Sequence, residues 1–347
     1  MSVPPVRTAP EAAPETALEA VLEVAEHDHS SLTDEQAVAL LAADGADLER
    51  LAHLADDVRR ARVGDDVTFV VNRNLDGTRV GADLGHVRAL VAEAAALGAT
   101  EVCVQGPVPA AAGPEGYLEL VRAVAQAAPG IHLHAFRVPE VLEAADRRGS
   151  SVREFLTAAR DAGLGSVPGT AAKVLDDDVR TLLNGGVPDL PVARWVEVLT
   201  TAHSLGLTST SVIVHGGPET PAQQVAHLRL LATIGRRTRG ITEFIAMPSP
   251  AGPSPRAVRA LHAVARLLLD GSVDHVQAAW PKHPPGLVEQ LLAGGADDLG
   301  GLLLDGELDP AAGQEAGTTL SPEAAAALAD RLGRPLRQRT TRYGVPA

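Results

Sequence analysis

From Asp66 onward, short apolar runs alternate with longer stretches of helical period, and this alternation limits what the chain can become more than any other feature. The runs fall at 67–72, 101–105, 131–136, 164–167, 210–214, 242–246, 274–278 and 298–303. They are rich in β-branched residues and too short for helices, as buried strands are. Between most of them lie amphipathic segments, the clearest at 83–97, 116–128, 191–205, 221–235 and 254–269. Repeated strand–helix units place strands in parallel, so the expected fold class is α/β, a parallel (β/α)8 TIM-type barrel. A doubly wound open sheet remains the alternative, because periodicity does not reveal closure.

Before the alternation comes a helical preface with segments at 17–25, 33–41 and 47–61, the second entered by the cap signal Ser31-Leu32-Thr33-Asp34-Glu35. The expected organisation is a disordered N-terminus at 1–16, rich in Pro, Ala and Glu, and a helical extension at 17–64. The barrel follows at 65–320, then a C-terminal helix and basic tail at 321–347. In that tail Arg331, Arg334, Arg337, Arg339 and Arg342 are read as a solvated cluster paired with the acidic body; binding an anionic ligand or covering a barrel end is the other reading.

Composition excludes several functions. A net charge of −14 opposes phosphate attraction, and 2% aromatic residues leave little for base stacking, so no nucleic-acid partner is expected. No apolar run reaches the roughly 18 residues of a membrane span, and no signal peptide is legible, so the expectation is a cytoplasmic protein off the membrane. Cys103 is the only cysteine, which rules out a disulfide within the chain and any site needing two thiolates. Its place inside an apolar run reads as a small core residue.

In a barrel of this class, chemistry sits at the carboxyl ends of strands. Residues assigned there are Asn72, Arg73 and Asn74, Gln105, Phe136 and Arg137, His215, and Asp297 with Asp298. His132 and His134 share one strand face and could bind a metal, but no third ligand is locatable, so the preferred reading is a hydrogen-bonded pair and no metal site is expected. Asp176-Asp177-Asp178 reads as a helix cap. Gly216-Gly217 and Gly300-Gly301 read equally as tight turns or as phosphate cradles.

Ordered segments across the chain carry a resemblance. They include Val70-Val71-Asn72-Arg73-Asn74, Gly98-Ala99-Thr100-Glu101-Val102-Cys103-Val104-Gln105-Gly106, His132-Leu133-His134-Ala135-Phe136 and Pro168-Gly169-Thr170-Ala171-Ala172. Further on come Trp195–His203, His275-Val276-Gln277 with Trp280, Gly294-Gly295-Ala296-Asp297-Asp298-Leu299-Gly300-Gly301, and Arg337-Gln338-Arg339-Thr340-Thr341 with Tyr343. The chain resembles the radical SAM enzymes of deazaflavin cofactor synthesis, in particular the half of FO synthase that transfers a 4-hydroxyphenyl group from tyrosine to a ribitylaminouracil. The resemblance implies ligand contacts at Asn72, Arg73, Asn74, Gln105, Gly106, His134, Pro168, Gly169, Thr170, Gly300 and Gly301.

The resemblance also implies a 4Fe-4S cluster, held by a Cys-x3-Cys-x2-Cys loop after the Asn-Arg-Asn segment, with S-adenosylmethionine on the cluster. Here Leu75–Gly81 runs directly to the helix at Asp83 and carries no cysteine. Departures accumulate at the other positions implied to receive S-adenosylmethionine: Lys173 replaces an acid, and Pro107 replaces a glycine, removing a backbone donor. No cofactor is therefore expected. The expected function is a non-radical, metabolite-binding or accessory relative of that pathway, with a small molecule or another pathway protein as partner. The alternative is a non-radical enzyme using His215 with Asp297 and Asp298. Oligomeric state is left open.

Overall fold

A computed structural model describes residues 14–307 and 320–346. The preface is α1 (Pro14–Asp28), α2 (Asp34–Leu40) and α3 (Gly45–Val63). The alternation then runs β1 (Val67–Asp76), α4 (Gly77–Val80), α5 (Leu84–Ala96), β2 (Glu101–Gln105), α6 (Gly116–Ala127), β3 (His132–Ala135), α7 (Val138–Arg147) and α8 (Val152–Ala162). It continues through β4 (Leu164–Val167), α9 (Asp177–Leu183), α10 (Val192–Ser204), β5 (Thr208–His215), α11 (Pro221–Thr238), β6 (Ile241–Pro248) and α12 (Pro255–Leu269). It ends with β7 (His275–Gln277), α13 (Pro285–Leu292), β8 (Asp298–Glu307), α14 (Pro322–Arg331) and β9 (Leu336–Gln338). Of the N-terminal stretch expected to be disordered, residues 1–13 lie outside the described residues, and Pro14 opens α1.

The strands pair in parallel from β2 to β8, and β1 joins β8 on one edge and β2 on the other, which closes an eight-stranded barrel. The open-sheet alternative is thereby excluded. Period-2 alternation sorts the residues of each strand. On β2, Val102 and Val104 face the helices while Glu101, Cys103 and Gln105 face the interior. Outward-facing Leu133, Ile213, Phe244 and Val276 join helix residues such as Val91, Val121, Leu228 and Leu261 in one continuous apolar shell.

Caps fix the helix starts as the local sequence directs. Thr33 with Gln36, Ser151 with Glu154 and Thr220 with Gln223 form capping boxes. Asp176 accepts from the Val179 amide at 2.9 Å, so the acidic run is a cap as expected. Arg256 holds the preface to the barrel through the Leu41 and Ala43 carbonyls, at 3.0 and 2.9 Å.

Two expectations are corrected. First, β1 does not stop at residue 72: it stays in register with β2 from Asn72–Glu101 to Asp76–Gln105. Asn72, Arg73 and Asn74 therefore lie within the strand. Second, the basic tail is only partly solvated: Arg331 and Arg342 are exposed, but Arg334 and Arg339 are buried. β2 begins opposite Asn72, which leaves the lower edge of β1 unpaired, and β9 fills it at Val67–Phe69. Arg334 is buried against the carbonyls of Asp65, Asp66, Leu292 and Ala296. Arg339, 1% exposed, enters the barrel floor.

Candidate functional site

Inside the barrel lies a cavity of about 130 Å³, on the order of ten times the 10–15 Å³ that one water requires. Its wall is built from the inward positions of successive strands: Asn72 and Asn74 on β1, Glu101, Cys103 and Gln105 on β2, His134 on β3, Thr210 on β5, Glu243 on β6 and Gln277 on β7. Ile245, Met247, Ala279 and Lys282 line it nearer the carboxyl ends of β6 and β7, and Arg339 reaches it from the tail.

Two buried carboxylates anchor this wall. Glu101 accepts from the Thr341 hydroxyl at 2.6 Å and from Asn72 Nδ2 at 3.4 Å. Glu243 takes three donors on one oxygen: Gln277 Nε2 at 3.2 Å, Arg339 Nη2 at 3.1 Å and the Tyr343 hydroxyl at 2.7 Å, all on Oε2. Burial, reinforced by the nearby Asp298 and Glu101 carboxylates, pushes the Glu243 carboxyl above its usual range, although Arg339 pulls the other way. Arg339 is itself claimed by Asp298 through two hydrogen bonds, one of them 2.8 Å long. His132 and His134 share the Ser166 hydroxyl, each at 2.6 Å, so the pair is hydrogen-bonded as expected. Burial drives His134 down to about 3, and it faces the cavity as a neutral imidazole.

The room itself depends on close approach. A Cβ at Gly301 would stand 2.2 Å from Asn72 Oδ1, and one at Gly300, where φ is +90°, would stand 2.8 Å from Gln277 Cδ. These two glycines let cavity side chains lie against β8. They do not cradle a phosphate: the Gly300 amide is taken by Asp298 at 2.7 Å. At Gly216 and Gly217 both amides are taken by Glu219, at 2.6 and 3.0 Å.

Placement sorts the residues named from sequence. Asn72, Asn74, Gln105, His134, Thr170 and Gly301 line the cavity. Gly169 sits just behind it, its amide donating to Thr210 Oγ1 at 3.0 Å, and Pro168 precedes that turn. Arg73 is corrected: it occupies the outward register of β1 and binds the Leu90 carbonyl at 3.1 Å and Glu93. Gly106 packs against the start of α4 rather than on the cavity, and a Cβ on Gly77 would lie 2.6 Å from its carbonyl oxygen.

His215 is corrected for the same reason as Arg73. Thr210 points inward, so alternation turns His215 out toward the helices, where burial lowers it to about 4. Asp297 and Asp298 are corrected because they open β8 instead of closing it. Asp297 joins Arg266, His275 at 2.6 Å and the Val276 amide at 2.8 Å beneath the sheet. Asp298 receives Thr68 Oγ1 and Arg339 in the floor. Cys103 is buried as expected, but on the cavity wall and not in the apolar core. Glu101, Glu243, Gln277, Thr210 and Arg339 were not assigned to the site from sequence, although a polar residue at every second position of an apolar strand is a signal for an inward polar wall.

A scan against protein-family models returned no match. An FO synthase from Nocardia farcinica is 41% identical over 358 residues, covering 94% of this chain and 41% of that protein. One from Streptomyces coelicolor is 42% identical over 97% of this chain and 43% of its own length. A 5-amino-6-(D-ribitylamino)uracil–L-tyrosine 4-hydroxyphenyl transferase from Archaeoglobus fulgidus is 36% identical over 84% of this chain and 92% of that protein. The chain belongs to this FO synthase and 4-hydroxyphenyl transferase family. It spans about two fifths of the length of the FO synthases it matches. Among solved structures, the FeFe-hydrogenase maturase HydG from Carboxydothermus hydrogenoformans superposes with a TM-score of 0.70 at 11% identity, covering 95% of this chain and 81% of that one. Methylornithine synthase (PylB) gives a TM-score of 0.65 at 15% identity, covering 92% and 96%. At such identities these two show the shared barrel alone.

The alignment to the Nocardia farcinica relative runs over 358 residues while matching 94% of a 347-residue chain, so that relative carries residues this member of the family lacks. The residues present do not fit a 4Fe-4S cluster, which takes several cysteine thiolates. The chain has one cysteine, and it lies inside β2. The position after the Asn-Arg-Asn segment is occupied by paired strand and by the packed contact of Gly77 on Gly106. Among the described residues no group of three His, Cys, Asp or Glu could hold a metal ion.

Proposed function

We propose that this chain is a cluster-less member of the family that binds a small, polar metabolite of deazaflavin synthesis inside its barrel and carries out no radical chemistry. The ligand we assign is 5-amino-6-(D-ribitylamino)uracil, the compound in the printed name of the Archaeoglobus fulgidus relative. One observation carries the reading. The interior keeps a polar, open wall of Asn72, Asn74, Glu101, Gln105, His134, Glu243 and Gln277, while β1 runs paired to Asp76 where the cluster loop would leave. A ribityl chain and an aminouracil ring offer hydroxyl and amine donors together with carbonyl acceptors, which such a wall can satisfy. Amides and acids that would cost about 1–3 kcal/mol each if buried unpaired are stabilised when a ligand completes their hydrogen bonds.

The test is calorimetric titration of the protein with the ribitylaminouracil, tyrosine and S-adenosylmethionine, beside anaerobic iron and sulfide reconstitution. The expected result is saturable binding of the ribitylaminouracil and no stoichiometric iron. Cluster formation at one per chain overturns the cluster-less reading, and no heat with the ribitylaminouracil overturns the ligand assignment.

A further inference from the structure

Glu243 is the third residue of β6 and faces the cavity with one oxygen already spent. Oε2 accepts from Gln277, Arg339 and Tyr343, whereas Oε1 accepts from none of the described residues. Its charged surroundings are lopsided. Glu101 on β2 and Asp298 on β8 bring two further carboxylates, and the guanidinium that enters the floor, Arg339, is bonded through Nε and Nη2 to Asp298. His134 on β3 is neutral, and His275 on β7 is bonded to Asp297 at 2.6 Å. Lys282 lies past the carboxyl end of β7, at the mouth, while Glu243 pairs in register with His275 at the start of that strand. Among the described residues one floor cation therefore serves three acids, and buried like charges that share one counter-cation do not all ionise.

We infer that Glu243 is kept as a neutral carboxylic acid, its proton on Oε1, making it a hydrogen-bond donor into the cavity for a carbonyl oxygen or ring nitrogen of the bound ligand. The three donors on Oε2 leave Oε1 as the only seat for the proton. Two of those donors, Arg339 and Tyr343, come from the C-terminal segment, nearly a hundred residues away in the chain, and Thr341 of the same segment holds Glu101. The tail thus works as a positioning element that turns the protonated oxygen toward the ligand. This inference rests on the ligand reading above only for the identity of the acceptor.

Infrared difference spectroscopy between the wild type and Glu243→Gln at neutral pH tests it without any ligand. A protonated-carboxyl carbonyl stretch present in the wild type and missing from the variant is the expected result; identical spectra in that region overturn the inference. If Glu243→Gln fails to fold, carbon-13 labelling of glutamate carboxyls in the wild type replaces it. One carboxyl that stays at its protonated shift through neutral pH supports the inference, and all carboxyls titrating in the acid range refute it. With the ribitylaminouracil as probe, Glu243→Gln, whose amide can also donate, should bind within about threefold of wild type. Glu243→Ala should lose up to about tenfold, the worth of one net hydrogen bond. A tenfold loss in both variants would mark Glu243 as an ionised acceptor and overturn the assignment. If neither variant nor wild type binds the probe, the ligand assignment fails and the infrared result alone decides the proton.

Discussion

Acidification from pH 7 to pH 5.5 should cost this protein a large part of its stability, and the reason is the number of neutral histidines it buries. His203, His215 and His134 are at most 9% exposed, and His227 and His262 are fully buried. Burial pushes His203 and His215 down to about 4, and His134, His227 and His262 down to about 3. In the unfolded chain each returns to about 6.5. Below that value the unfolded state binds a proton that the folded state refuses, so the unfolded state gains with falling pH. The stability these groups confer is present in full above about 6.5 and is lost progressively as pH falls toward the folded values. Each group loses about 1.3 kcal/mol between pH 7 and 5.5, so the five together lose about 6 kcal/mol, against a total of roughly 5–15 kcal/mol for an ordinary domain. Urea unfolding followed by far-ultraviolet circular dichroism at half-unit pH steps measures this directly. The curve should steepen below pH 6.5, and His227→Gln should flatten it by about one fifth. A loss under about 2 kcal/mol by pH 5.5 would mean that these rings are protonated or solvated in the folded state, and the burial argument would be wrong.

Other expectations follow from single contacts. Arg339→Met strands Asp298 and should destabilise by about 3–5 kcal/mol, with much of the loss recovered in the Arg339→Met, Asp298→Asn double variant; additive losses would contradict the pairing. Gly301→Ala places a methyl on Asn72 and should lower the melting temperature, cost about 1–3 kcal/mol and abolish ligand heat; an unchanged calorimetric titration would show that the wall relaxes freely. Asp297 is buried, yet Arg266 and His275 hold its carboxyl below the usual value. Its stabilisation is therefore present above about pH 4 and lost as pH falls further, so the gap between wild type and Asp297→Asn in urea melts should close in that acid range.

The barrel was legible because its grammar is local. Strand runs at 101–105 and 164–167 coincide with β2 and β4, and the helix expected at 254–269 differs from α12 by one residue. The interior was less legible, because burial of a polar residue is a tertiary fact. Glu101 and Gln277 stood inside quoted segments, but nothing local distinguishes an inward glutamate from an outward one until the register is known. His215 and Arg73 illustrate the converse: one step of alternation sends each to the helix side. The tail was misread for a related reason. Five arginines near an acidic body look solvated, and only the unpaired lower edge of β1, visible once β2 starts at Glu101, explains why β9 docks there and carries Arg339 inward.

The polarity of the interior bears most directly on what the short connection after the first strand means. Barrels of this class fill their centres with layers of branched aliphatic side chains, which gain stability from burial and ask for no partner. Here many of the equivalent positions hold Asn72, Glu101, His134, Ser166, Thr210, Glu243 and Gln277, beside the apolar Val70, Val212 and Ile245, and Gly300 and Gly301 keep β8 clear of them. A chain whose barrel served only as a scaffold would gain stability from concerted replacement of this network by packed aliphatic side chains, and would have no use for two glycines that preserve space. The Thr341, Tyr343 and Arg339 contacts add a second argument, since they spend a distant segment on orienting two acids that a scaffold would not need. Closing the route from β1 and keeping the interior polar are separable features, and a barrel that only one of them had reached would look different: filled and closed, or open with its cysteines. The combination is what the proposed cluster-less, ligand-binding reading expects.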